Sequence, residues 1–183
     1  MRSSPVSPEL GAGRVTERVL LVGMMGAGKT TVGRELSRRL GWPYFDSDAM
    51  VEAHSGKTVP EIFEERGEAA FRAEEARVLA EAVTSDGPAV VSVAGGAVLD
   101  PDNRRRLAAG GTVVWLRAEV ETLARRVGAG KGRPLLSPDP ETALRRLYAQ
   151  RRPVYEQVAD VVVDVDHRSA AEVAEAIISE LDR

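Results

Sequence analysis

Four groups of residues have types and spacings that could do chemistry. The first is Gly23-Met24-Met25-Gly26-Ala27-Gly28-Lys29-Thr30, which spells G-x-x-x-x-G-K-T. That pattern cradles phosphates: the glycines allow a tight turn and leave backbone N–H groups open to an anion. Lys29 can reach β- and γ-phosphates, and the Thr30 hydroxyl can ligate Mg²⁺. Gly26, Ala27, Gly28, Lys29, Thr30 and Thr31 form the expected phosphate-binding set. An accidental glycine-rich turn is the alternative. With Gly near 7% of residues, the four fixed positions arise by chance in a chain this long at well under ~1%.

The second group is Asp46 and Asp48, directly after the short apolar run Trp42-Pro43-Tyr44-Phe45. Ligands of open parallel sheets bind beyond the carboxyl ends of strands, so two carboxylates there are placed for work. A helix N-cap would also account for one of them. The third is Gly128-Ala129-Gly130-Lys131-Gly132-Arg133, a glycine-rich loop holding two cations, suited to closing over phosphates. A loose surface loop is the bland alternative. The fourth is the scattered set Arg72 with Glu75, and Gly95-Gly96. On its own, Arg72 with Glu75 reads as an ordinary helix-surface pair. The two glycines read equally as a tight turn or as close approach of a ligand to backbone.

These residues need elements to hold them. Arg18 to Val22 is apolar and β-branched and reads as a buried parallel strand. Val32, Leu36 and Leu40 recur every four residues, which predicts a helix ending at Gly41. Trp42 to Phe45 reads as the second strand. Thr58-Val59-Pro60-Glu61 is a capping box opening a short helix to Arg66. Gly67 breaks it, and a longer helix runs from Glu68 to Val83 with Phe71, Val78, Leu79 and Ala82 inward. Ala89 to Ala94 is a strong buried strand. Asp100-Pro101 opens a helix that Gly110 and Gly111 end. Thr112 to Leu116, Glu119 to Val127, Pro140 to Val158 and Val161 to Val163 read as strand, helix, helix and strand. Ser169-Ala170-Ala171-Glu172 is a second capping box opening a terminal helix.

Alternating strands and helices predict an α/β fold with a parallel sheet. The 183 residues suit one domain with a real core. Residues 1–17, rich in Ser, Pro and Gly, are expected to be a flexible tail. Residues 18–183 then form a single domain, with its core in 18–48 and 85–183. A helical insertion spans about 49–84, and a lid about 128–141. Net charge is −3 with no long basic run, which argues against nucleic acid as partner. No cysteine is present, so disulfides and cysteine-bound zinc are excluded and a reducing cytoplasm is compatible. No apolar run approaches the ~20 residues that a membrane span needs.

Phosphoryl transfer needs cations on the phosphates, Mg²⁺ between β- and γ-oxygens, and a carboxylate to orient or deprotonate the attacking hydroxyl. The base-reading and switch motifs of a GTPase are not found. The third strand ends in Ala94-Gly95-Gly96 rather than the aspartate of a motor or transporter ATPase, and Asp164 after the last strand reads as incidental. A small-molecule kinase fits best.

The chain resembles shikimate kinase from about Arg18 to its end. The matching pieces are Gly23 to Thr30, Phe45-Asp46-Ser47-Asp48, Ile62-Phe63 through Phe71-Arg72-Ala73-Glu74-Glu75, Ala94-Gly95-Gly96-Ala97-Val98, Arg133-Pro134-Leu135-Leu136 and Arg151-Arg152-Pro153-Val154-Tyr155. Each is short, but their joint order is specific. The resemblance implies a nucleoside-monophosphate-kinase type of fold with a five-stranded parallel sheet ordered 2-3-1-4-5. It implies ATP and Mg²⁺ as cofactors, shikimate as acceptor, and transfer to its 3-hydroxyl in the route to chorismate. A cytoplasmic monomer is expected.

Roles carry over by position. Lys29 resembles the phosphate lysine and Thr30 the Mg²⁺ ligand, with Asp46 near Mg²⁺ through water. Asp48 resembles the residue that holds the substrate hydroxyls and acts as base. Arg72 and Arg151 resemble a carboxylate clamp, a job that suits two-point guanidinium forks. Glu75 would orient Arg72, Gly95 and Gly96 would offer N–H groups to substrate, and Arg133 would be the lid arginine. Arg126 and Arg168 resemble residues near the adenine. Two departures bear on acceptor choice and turnover: Ala94 stands for the first of three usual glycines, and Gly130 for a usual lid asparagine. Arg152, beside Arg151, competes for the clamp. Other readings are a kinase of a related cyclic polyol or amino-polyol acid such as aminoshikimate, and a non-catalytic nucleotide-binding regulator.

Overall fold

A computed structural model describes residues 18–128, 133–136 and 138–182. The expectations for the tail at 1–17, and for Ala129, Gly130, Lys131 and Gly132 of the lid, fall outside the described residues.

The architecture is a five-stranded sheet with order β2-β3-β1-β4-β5. Its strands are β1 (Arg18–Val22), β2 (Tyr44–Asp46), β3 (Ala89–Ser92), β4 (Thr112–Arg117) and β5 (Val161–Asp164). All pairings are parallel, and β1 lies centrally, with Leu20 facing Val91 on one side and Val113 on the other. A strand buried on both faces must be apolar throughout, which is why Val19 to Val22 show no polar alternation.

Helices α1 (Lys29–Leu40), α4 (Pro101–Gly110), α5 (Val120–Val127), α6 (Pro140–Val158) and α7 (Ala170–Leu181) flank the sheet. Their starts follow the capping chemistry of the sequence. Asp100 accepts from the N–H groups of Asp102 and Asn103, and Ser169 forms the capping box with Glu172. The strand expected over Ala89–Ala94 ends at Ser92, because the chain must turn there. The Ala94 N–H leaves the ladder and donates to Ser47 Oγ at 2.9 Å.

The segment 49–84 is helical. It holds α3 (Val59–Thr84), bent at Gly67, whose φ of 79° and ψ of 174° interrupt the helix. The expected break is present: two helical stretches meet at Gly67 with a change of direction between them. Before α3 lies α2 (Ser47–Ser55), which starts where the cap reading of Asp46 places a helix and whose extent the sequence did not mark. Val51 of α2 packs with Ile62, Phe71 and Val78 of α3 into a small core separate from the main one. The insertion thus carries its own apolar support and can hold side chains rigidly beside the sheet.

Candidate active site

The carboxyl ends of β1, β2 and β3 open onto a cavity of about 520 Å³. Gly26, Gly28, Lys29, Thr30 and Thr31 line one side of it. Asp46, Asp48, Arg72, Gly95, Gly96, Arg133 and Arg151 also line it. These residues lie up to 125 positions apart in the chain (151 − 26), and the fold brings them to one place. Ala27 is buried beneath the loop and does not reach the cavity.

The loop from Gly23 to Gly28 runs from β1 into α1. Gly26 and Gly28 have φ of 84° and 93°, a region that side-chain-bearing residues rarely adopt. Lys29 folds back over the loop, its Nζ donating to the carbonyls of Gly23 at 2.8 Å and Met24 at 3.1 Å. Burial pushes its pKa down to about 8, while the carboxylates of Asp48 and Asp46 pull upward. An arriving polyphosphate would add strong upward pull, so the ammonium is poised to pair with it.

Asp46 does two jobs. Its Oδ1 accepts from the N–H groups of Asp48 at 3.1 Å and Ala49 at 3.4 Å, capping α2. Its Oδ2 accepts from the Thr30 hydroxyl at 3.1 Å. Helix cap and site carboxylate are the same residue, so the two readings of the sequence were not alternatives. The donor set suits Mg²⁺: a hydroxyl and a carboxylate, both hard oxygen ligands, stand beside a phosphate loop. No group of three or more acidic or His side chains that could hold a metal ion occurs among the described residues. Mg²⁺ fits such a site, since it keeps several waters and takes one or two protein oxygens plus substrate phosphates.

Asp48 opens into the cavity. Burial first, and then the charge of Asp46, raises its pKa, with Lys29 opposing. Across from it, Arg72 NH1 donates to both oxygens of Glu75, each at 2.9 Å, and NH2 donates to Glu68 at 3.2 Å. Glu75 is buried, and burial pushes its pKa up to about 7 against the pull of Arg72. This is not a helix-surface pair. Arg151 is 2% exposed, and its Nε has no hydrogen-bond partner. A buried guanidinium with a free N–H is a strong call for an anion. Arg152 pairs with Glu156 at 3.0 Å on the surface and does not line the cavity, whereas Arg151 does.

Gly95 and Gly96 have a cause that the sequence did not disclose. A Cβ on Gly96 would lie 2.5 Å from Arg72 NH1, and one on Gly95 would lie 3.2 Å from Arg151 NH1. Gly96 leaves room for the Arg72 guanidinium, and Gly95 leaves room for the Gly23 carbonyl, 3.0 Å from such a Cβ, as well as for Arg151. Tyr155, one helical turn beyond Arg151 on α6, donates to the Gly95 carbonyl at 2.6 Å and stacks on Trp115 at 5.8 Å. It braces the glycine turn. The i,i+4 spacing of Arg151 and Tyr155 was the available signal for it. Glu52 and Phe63 also line the cavity and were not anticipated.

The family model of shikimate kinase matches residues 25–182. The chain belongs to the shikimate kinase family. A shikimate kinase of Halorhodospira halophila is 48% identical over 92% of this chain and 95% of its own length. One from Symbiobacterium thermophilum is 49% identical over 89% of this chain and 95% of its own. Among solved structures, the shikimate kinase of Acinetobacter baumannii in complex with shikimate superposes with a TM-score of 0.86, at 39% identity over 90% of this chain and 92% of that one. The sheet order is that of the nucleoside-monophosphate-kinase type, as expected.

The remaining expected residues of a shikimate kinase lie at the cavity's edge or beyond it. Arg133, exposed, starts the 3-10 turn Pro134–Leu136 at the rim. Arg126 donates to the carbonyls of Gly26 and Val165, each at 3.2 Å, and so ties the phosphate loop to the end of β5. Arg168 is exposed on the β5–α7 connection and does not line the cavity. Asp164 pairs with Arg117 on the surface, in keeping with an incidental role. Ala94 lines the cavity.

Proposed function

We propose that this chain is an ATP-dependent kinase that transfers the γ-phosphoryl group to the 3-hydroxyl of shikimate, giving shikimate 3-phosphate and ADP. The observation that carries this is the pair of guanidinium groups, Arg72 and Arg151, facing one cavity with Asp48 and the phosphate loop. An acceptor with one carboxylate and a ring of hydroxyls meets that arrangement group by group.

Lys29 and the loop N–H groups of Gly26 to Thr31 hold the polyphosphate. Thr30 and Asp46 would hold Mg²⁺, which when bound neutralises charge between the β- and γ-oxygens. Arg72 and Arg151 take the acceptor carboxylate, with Glu75 fixing the Arg72 fork. Asp48, its pKa raised, accepts the proton of the attacking hydroxyl. Arg133 stands at the rim to meet the transferring group. Arg126, and more distantly Arg168, would flank the adenine. The chain's domain plan is one kinase unit from residue 18, with the 49–84 insertion as acceptor-binding wall. No helix among the described residues is long and apolar enough to cross a membrane. A cytoplasmic setting suits the absence of cysteine.

The test is an ADP-release assay with shikimate beside aminoshikimate, quinate and gluconate. Shikimate should give the highest kcat/KM. A higher value with gluconate would remove the ring-acid reading, and preference for aminoshikimate would move the assignment to the amino-polyol acid.

A further inference from the structure

The second oxygen of Asp46 has a partner besides Thr30. Tyr44 donates its hydroxyl proton to Asp46 Oδ2 at 3.0 Å, and its oxygen also lies 2.9 Å from Ser92 Oγ. A phenol has one proton and an ionised carboxylate can only accept. The proton therefore goes to Asp46, and Tyr44 accepts in turn from Ser92. Ser92 is buried on β3, in register with Asp46 on β2. The ring of Tyr44 has a seat: a Cβ on Gly33 would stand 2.4 Å from a ring carbon. Gly33 lies one turn from Thr30 on α1, so the ring docks on the helix that carries the phosphate loop.

We propose that Tyr44 is a positioning residue of the Mg²⁺–nucleotide site, its hydroxyl, backed by Ser92, locking Asp46 Oδ2 toward Thr30. Asp46 Oδ1 is committed to the start of α2. Its other oxygen would otherwise depend on the exposed Thr30 hydroxyl alone. The inference rests on the ATP and Mg²⁺ reading, but not on the identity of the acceptor.

Tyr44→Phe keeps the ring against Gly33 and removes only the oxygen. Calorimetric titration with ADP, once with Mg²⁺ and once with EDTA, reads the effect without turnover. The affinity for Mg²⁺·ADP should fall roughly 3- to 10-fold, while that for metal-free ADP stays within about twofold. The Mg²⁺ concentration for half-maximal turnover should rise in parallel, with the acceptor KM unchanged. Ser92→Ala, which leaves the Tyr44 proton on Asp46, should show a smaller loss. Equal weakening with and without metal would make Tyr44 a general prop, and no weakening in either would leave its hydroxyl idle; both overturn the proposal. If the variant is less stable, the Mg²⁺-dependent rise in Tm of its ADP complex still gives the comparison. A wild-type protein that binds ADP under neither condition would sink the nucleotide reading itself, a distinct result.

Discussion

Asp48 and the two arginines are where single side chains decide the outcome. Asp48→Asn keeps the shape and removes the base. Turnover should fall at least ~10²-fold, with ATP affinity measured by calorimetry largely unchanged. Normal turnover would take Asp48 out of the scheme. Arg72→Ala should chiefly raise the acceptor KM, by ~1.5–3 kcal/mol for a charge-assisted contact, and an unchanged KM would count against the clamp. Gly96→Ala gives the same conclusion by another route. Its methyl meets the far end of Arg72, a flexible side chain, so the variant should fold while displacing the guanidinium. It should therefore share the acceptor KM defect of Arg72→Ala, and the double variant should be no worse than either single one. Full additivity would mean that the two residues act separately. At this scale the sequence marked candidate residues, most of which the fold brings to one cavity, but not why they stand together. The glycines at 95 and 96 were legible as a turn or a close approach, yet what crowds them is remote in the chain: Arg72 at Gly96, and the Gly23 carbonyl with Arg151 at Gly95. Arg72 with Glu75 looked ordinary because i,i+3 spacing carries no information about burial.

Elements show the same division between local and remote causes. Capping residues, glycine ends and apolar periodicity placed α1, α4, α6 and α7 from the sequence, since each signal is local. Helix α2 entered only as the cap alternative at Asp46, because that residue's spacing from Asp48 already spoke for chemistry. The end of β3 was set too late because Val93 and Ala94 are apolar, yet Ser47 draws the chain out of the ladder there. The break in α3 at Gly67 was legible in the sequence, and the angle between its two halves was not. It sets the direction of the stretch carrying Arg72 and Glu75, and it depends on a backbone region open essentially to glycine alone. Nothing lies within 4 Å of a Cβ built at Gly67, so a substitution there tests strain without collision. Gly67→Ala should lower unfolding free energy by ~1–3 kcal/mol in urea titration. Gly67→Asn should not rescue it, because asparagine tolerates the left-handed helical region, where ψ is near +47° rather than 174°. Rescue by asparagine would show that the kink relaxes to an ordinary left-handed turn.

Across the whole molecule, the sheet delivers a phosphate loop on one side and a helical wall on the other, and the charges between them are coupled. Glu75 records that coupling. Burial holds its pKa at about 7, against an ordinary value of 4.5. Between those values the folded protein keeps a proton that the unfolded chain has released. Stability from this group is therefore fully present below about pH 4.5 and is lost as pH rises toward 7. Arg72 opposes this through its two hydrogen bonds, so the net loss measures how far desolvation outweighs pairing. Glu75→Gln removes the titration and nearly keeps the volume. The fall in Tm from pH 5 to pH 7.5 should be smaller in the variant than in the wild type. All other ionisable groups are common to both proteins, so the difference isolates Glu75. Equal slopes would mean that Glu75 carries its charge throughout, with Arg72 outweighing burial. A shallower slope would mean that the wall facing the acceptor is held at a cost in stability, retained because the carboxylate aims the arginine.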